Sequence, residues 1–162
     1  AGVTVVTRDD ETARHFAQLG ASIFTEDEGV GLNGAVRAAS EHLRAHHPGD
    51  GIAALMGDLA GVTSEALGAA LDAAARLELG VLADHDGTGT TMLTAPGRAP
   101  IHPAYGSGSY ARHLAVGHSP LPVSADSPLR QDVDTREDLA SLARVGLGPH
   151  TRELLRRRGA ML

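Results

Sequence analysis

The sequence has no cysteine and no tryptophan. Without cysteine there is no disulfide framework, no thiolate metal site and no thiol nucleophile. Aromatic side chains are limited to Phe16, Phe24, Tyr105 and Tyr110, too few to build base-stacking platforms. Basic residues are also scarce: 14 against 20 acidic ones, for a net charge of −6. That balance excludes a general nucleic-acid binder, which needs a basic face. No apolar run approaches the ~18 residues needed to cross a membrane. Residues 1–7 lack the basic flank and long apolar stretch of a signal peptide. The expectation is a cytoplasmic protein with no membrane and no nucleic-acid partner.

What is present is the composition of a folded domain. The 162 residues are 42% apolar and 21% charged, a length that fits one domain with a core of Ala, Leu and Val. Short β-branched or apolar runs at 3–7, 21–24, 52–56, 80–83, 92–94 and 121–124 predict strands. The run at 52–56, Ile-Ala-Ala-Leu-Met, is uninterrupted, which predicts a central strand covered on both faces. Between the runs, helices are expected from Asp9 to about Leu19, over 32–46, from Thr63 to about Leu77, over 109–116, over 136–144 behind Thr135 as N-cap, and over 151–158. Alternating strands and helices predict an α/β domain with a mostly parallel sheet flanked by helices. The Gly- and Pro-rich stretch 86–108 is too long for a simple turn and is a candidate binding loop.

Several segments carry residue types suited to chemistry. Asp58 follows the run at 52–56, where open α/β sheets bind ligands, and a carboxylate there can share Mg²⁺ with substrate phosphates; its structural alternative is a turn cap. Asp132 and Asp134 stand on alternate positions before the Thr135 helix, so in extended backbone they share a face; the alternative is acid enrichment at a helix start. The loop from Asp84 to Thr91 holds two glycines and three threonines, donors suited to an anion. A second loop, Gly106-Ser107-Gly108-Ser109, leads into a helix carrying Arg112 and His113, which could add positive charge to that anion. Asn33 opens the helix at 32–46. His42, His46 and His47 lack a metal-ligand pattern and read as solvated. Arg156, Arg157 and Arg158 fit the negative end of the last helix dipole.

Taken in order, the segments Val3-Thr4-Val5-Val6-Thr7, Gly31-Leu32-Asn33, Gly57-Asp58-Leu59, Gly87-Thr88-Gly89-Thr90-Thr91, Gly106-Ser107-Gly108-Ser109 with Ala111-Arg112-His113, Asp132-Val133-Asp134-Thr135 and Gly148-Pro149-His150 resemble the phosphoenolpyruvate/2-phospho-L-lactate guanylyltransferase family. That family is a branch of the molybdopterin-guanylyltransferase-like nucleotidyltransferases. The resemblance implies a Rossmann-like fold of the nucleotide-diphospho-sugar transferase type. It also implies transfer of GMP from GTP to phosphoenolpyruvate or 2-phospho-L-lactate, with release of pyrophosphate, toward coenzyme F-420. By the same resemblance Asp58 and Asp134 act as catalytic residues and Mg²⁺ ligands, with Asp132 a further ligand. Thr91, Gly106 and Ser109 hold the acceptor acid, and Asn33 lies on the nucleotide side.

Against that pattern the segment preceding Val3, with the family's first strand and Gly/Lys/Arg nucleotide loop, is missing from the 162 residues. Ala60 and Ser107 replace prolines. The expectation is therefore a single domain over 1–162, N-terminally incomplete, whose open sheet edge favours a homo-oligomer. A noncatalytic phosphometabolite-binding or assembly module is the competing expectation.

Overall fold

The computed structural model describes residues 2–158, and its elements follow the predicted alternation closely. The first half contains β1 (Thr4–Val6), α1 (Asp10–Gln18), β2 (Ser22–Phe24), α2 (Gly31–His46), β3 (Ile52–Leu55) and α3 (Ser64–Ala74). The second contains β4 (Gly80–Ala83), β5 (Thr90–Ala95), α4 (Ser109–Ala115), β6 (Ser119–Pro120), a 3-10 turn (Pro128–Arg130), α5 (Arg136–Val145) and α6 (Pro149–Arg157). Three helices start on side-chain caps. Asp9 accepts from Thr12 N–H, Thr63 from Ala66 N–H, and Thr135 forms a reciprocal capping box with Asp138. Each satisfies amides that the first helical turn leaves unpaired.

β1 and β2 pair in parallel, and a second sheet has the order β3-β5-β4-β6. In that sheet β3, β4 and β6 point one way and β5 runs against its two neighbours, so the sheet is mixed, with two antiparallel pairings and one parallel. Alternate side chains along the strands feed two cores. On one face Leu82 and Met92 pack with Ala70 and Ala74 of α3, Leu121 and Leu129. On the other, Val81 and Leu93 pack with Ala95, Ile101 and Tyr105, joined by Val36 of α2 and Tyr110 of α4. The result is an α/β/α layering. Buried small residues on α2, Ala35, Ala39 and Ser40, give its inner face a smooth surface against the layer beneath.

Three expectations change. The apolar run at 52–56 is not the most enclosed strand: β3 bonds only to β5 and is half-buried along its length, whereas β4 and β5 are buried throughout. The strand expected at 121–124 lies earlier, at Ser119–Pro120. Ser119 and Leu121 donate to Leu79 and Val81 carbonyls, but Val123 N–H folds back onto Leu121 O, and this tight turn ends the ladder. The stretch 86–108 is two loops around β5 rather than one long loop.

The tightness of the sheet makes a stability prediction. A Cβ on Gly80 would overlap the Thr94 hydroxyl and approach the Leu121 side chain to 3.0 Å. Both neighbours are buried and have little room to yield. Gly80→Ala is expected to cost about 1–3 kcal/mol by overpacking, read as a lower urea midpoint at unchanged slope.

Candidate active site

The C-terminal ends of β3 and β4 and the start of β5 share one edge of the sheet, because Leu55 is opposite Met92 and Ala83 opposite Thr90. Asp58 leaves that edge on an exposed turn. The turn is braced from below: a Cβ on Gly61 would meet Leu142 of α5 at 2.7 Å and Pro128 at 3.2 Å, and Gly148 N–H donates to Ala60 O at 3.1 Å. Leu142 lies on the helix that begins just after Asp134, and Pro128 lies just before Asp132. This packing draws the two acidic segments, distant in sequence, toward each other.

Electrostatics register the approach. Asp132 is half-buried, and its carboxyl is held above the ordinary carboxylate value, first by desolvation and then by the negative charges of Asp58, Asp84 and Asp134. Its own backbone N–H partly offsets this. Asp134 is exposed beside it. Asp138 belongs to a different role: its Oδ2 accepts from Thr135 N–H at 2.8 Å and from Asp134 N–H at 3.2 Å, so it is spent on the cap. Among the described residues no group of three or more His, Asp or Glu side chains is arranged to hold a metal ion.

Asp84, within the donor-rich loop, is the residue that organises it. Its carboxylate accepts from Thr88 N–H at 2.9 Å and Gly89 N–H at 2.6 Å. The amides expected to serve an anion there are thus turned inward onto Asp84. Arg130, at the end of the 3-10 turn, donates Nη2 to the Asp84 carbonyl at 3.1 Å. This ties the 84–89 loop to the segment carrying Asp132. No local pattern in the sequence pointed to Arg130, because the contact is purely tertiary.

The second loop is gripped on three sides. Asn33 of α2 accepts from Tyr105 N–H at 2.7 Å through Oδ1 and donates to Tyr105 O at 3.2 Å through Nδ2. His113 Nε2 accepts from Ala104 N–H at 2.8 Å. Gly106 has φ +117, and the Arg112 guanidinium lies where its Cβ would be. Tyr110 N–H reaches across to Thr88 O at 3.1 Å, joining the two loops. The backbone N–H groups of Gly106, Ser107, Gly108 and Ser109 donate to nothing among the described residues. A run of uncommitted amides around left-handed glycines is suited to binding an anion.

Each expected site residue therefore has a place. Asp58 and Asp134 lie near enough to Asp132 for their charges to be felt there, an acidic corner that is not a ready three-carboxylate cluster among the described residues. Gly106 and Ser109 belong to the gripped loop, and Ser109 is buried, with Oγ 3.1 Å from Thr90 Oγ1. Thr91 is fully buried, and its Oγ1 has no partner among the described residues. Asn33 spends both ends of its amide on Tyr105. His113 cannot supply the positive charge expected of it. It is fully buried, both ring nitrogens are used, and its pKa is lowered to about 4 by desolvation, by His118 and by Arg112.

A shallow cavity of about 290 Å³ between Arg44, Pro48, Gly97 and Arg98 lies at the opposite sheet edge, near Ile52 and Ala95. Arg44 Nη1 donates to Gly97 O there at 2.7 Å; it is remote from the carboxylates. None of the helices among the described residues is long and apolar enough to cross a membrane.

Comparison with known proteins fits this geometry. A family model described as "Guanylyl transferase CofC like" matches residues 1–161. The chain is 41% identical over 152 residues to the phosphoenolpyruvate guanylyltransferase of Streptomyces coelicolor, covering 93% of this chain and 71% of the relative. It is 38% identical over 157 residues to that of Thermomonospora curvata, covering 97% and 69%. With that of Sanguibacter keddieii it shares 47% over 136 residues, 79% of this chain but only 47% of the relative, so the chain spans about half that protein. On these matches the chain belongs to the CofC-like guanylyl transferase family.

Proposed function

We propose that this protein transfers GMP from GTP to the phosphate of phosphoenolpyruvate and releases pyrophosphate, a step toward coenzyme F-420. The observation that carries the proposal is the run of uncommitted amides from Gly106 to Ser109, joined through Thr88 and Thr90 to the sheet edge that also bears Asp58, Asp84 and Asp132. One feature suits an anionic acceptor and the other a divalent cation. The relatives named above carry the name of this activity.

The chemistry asks little of a general base. The acceptor phosphate oxygen is already an anionic nucleophile. It attacks the α-phosphorus of GTP, a new P–O–P bond forms, and the bond to the β-phosphate oxygen breaks, so that pyrophosphate leaves with its electron pair. The obstacle is repulsion between two polyanions and their in-line alignment. Mg²⁺ bound at such a site would supply positive charge that offsets this repulsion and stabilises the leaving group.

Asp58 and Asp134, with Asp132, are the residues that would hold the cation. Hard oxygen donors suit Mg²⁺, which takes one or two protein carboxylates and completes its shell with water and substrate. Burial is the main reason the Asp132 carboxyl is raised, and the charges of Asp58, Asp84 and Asp134 add to it; a cation would relieve that added part. Gly106, Ser109 and Thr91 would hold the acceptor acid, Thr91 offering a hydroxyl that lacks a partner. Asn33 acts through the loop it clamps, because its amide is committed to Tyr105.

The test is pyrophosphate release by the purified protein with GTP, Mg²⁺ and each acceptor in turn, with the product identified by mass. Release with phosphoenolpyruvate and a guanylylated product is the expected result. Release with 2-phospho-L-lactate alone would move the acceptor assignment. Binding of phosphoenolpyruvate without release under any condition would overturn the transferase reading in favour of a noncatalytic module.

A further inference from the structure

The fully buried His113 lies between two fixed partners. Its Nε2 faces Ala104 N–H at 2.8 Å, so Nε2 must present a lone pair. A proton on that nitrogen would set two donors against each other. The ring therefore carries its proton on Nδ1, which lies 2.9 Å from Thr90 Oγ1 and donates to it. Tyr105 and His118 close the ring's surroundings, with edge-on centroids 5.0 and 5.6 Å away.

The relay continues from Thr90 Oγ1 to Ser109 Oγ at 3.1 Å. It holds three protons, one on His113 Nδ1 and one on each hydroxyl. Its two internal contacts consume two of them. Whichever way the hydroxyls turn, one O–H proton is left over, and neither hydroxyl makes a further hydrogen bond among the described residues; the Ser109 backbone beside the ring bears on His113 itself. Were His113 to accept from Thr90 instead, the chain could run the other way and leave no such donor.

We infer that His113 is a positioning residue for the acceptor acid: through one neutral tautomer it holds the backbone at Ala104 and orients the Thr90–Ser109 hydroxyl pair as a net donor beside the free amides of Gly106 to Ser109. The ligand class is a small phosphorylated carboxylic acid. The inference rests on the acceptor-site reading above, and adds to it Thr90 and His113, which reach the acid only through Ser109 and the loop.

The experiment compares Thr90→Val, Thr90→Ser and the unaltered protein. It uses calorimetric Kd for phosphoenolpyruvate with Mg²⁺ present, together with separate KM values for the two substrates. Thr90→Val is isosteric but ends the relay, and is expected to weaken phosphoenolpyruvate binding about 10- to 100-fold, the size of a hydrogen bond to a charged group. The KM for GTP should stay within about 3-fold, and Thr90→Ser, which restores the hydroxyl, should recover most of the affinity. His113→Asn keeps a donor where Nδ1 stood and should bind more tightly than His113→Phe, which keeps none. Equal loss toward both substrates, or an unchanged Kd in Thr90→Val, overturns the inference. A protein that binds phosphoenolpyruvate with this pattern but releases no pyrophosphate would sink the transferase reading while leaving the positioning role in place. An unaltered protein that does not bind the acid would end the inference.

Discussion

Asp58→Asn is expected to reduce pyrophosphate release by about 10³-fold or more while leaving the fold untouched. The carboxylate makes no side-chain hydrogen bond among the described residues and is exposed on its turn, so its replacement should move the melting temperature by less than about 2 °C, as surface changes do. What Asn loses is the formal charge. A neutral amide is a poor partner for a hard divalent cation and cannot offset two converging polyphosphates. Three orders of magnitude correspond to about 4 kcal/mol of transition-state stabilisation, in line with removing one preorganised charge-stabilising group. Asp132→Asn should lose a comparable amount, because Asp132 sits where the charges of Asp58, Asp84 and Asp134 are all felt. Asp138→Asn serves as the contrast: it weakens the α5 cap and costs stability, but should leave turnover nearly intact. Undiminished turnover in Asp58→Asn, at normal stability, would remove the acidic corner from the mechanism.

The layered fold was legible because its signals are local. Short β-branched and apolar runs, the helix starts at Asp9 and Thr63 and the cap at Thr135 each act within a few residues. The rank of the strands was not legible. Ile52–Leu55 reads as the most apolar strand yet lies at the sheet margin, whereas β5, with Thr90, Thr91 and Thr94, is buried throughout. Threonine hydroxyls look polar in a sequence, and only tertiary partners such as His113 and Ser109 reveal that Thr90 can be sealed inside. The candidate site divides in the same way. Asp58, Asp132 and Asp134 stood out by type and position, and Gly106 and Ser109 by the glycine pattern. The groups that organise them did not: Arg130 on the Asp84 carbonyl, Asn33 on Tyr105 and His113 on Ala104 join elements through contacts that no spacing rule encodes. His113 misled for a physical reason, since adjacency to Arg112 suggested a cation where burial enforces a neutral ring.

That burial makes acid the condition that should unfold this protein. His113 is held at about 4 in the fold, against 6.5 ordinarily, by desolvation first and then by His118 and Arg112, with the Ser109 backbone opposing weakly. His118 is also pushed down, mainly by desolvation, with the Gly80 and His102 backbones opposing; its Nδ1 meets Gly80 O at 3.0 Å. Between pH 6.5 and about 4 the unfolded chain binds protons that the native state refuses, so stability rises with pH across this window. The contribution is complete above pH 6.5 and is lost as pH falls toward 4. For His113 alone the loss is on the order of 3 kcal/mol, a large share of a typical domain's stability. Asp132 works in the opposite sense, because its raised pKa lets the native state gain a proton first. Asp9 and Asp138, both held low by hydrogen bonds, contribute only below this window. Thermal melts from pH 7.5 to 4 should therefore show the melting temperature falling by about 6–12 °C. In His118→Asn, whose amide can keep the bond to Gly80 O but cannot titrate, the fall should be shallower. A flat profile down to pH 4.5, or an unchanged slope in His118→Asn, would mean that the buried histidines are not what couples this fold to protons.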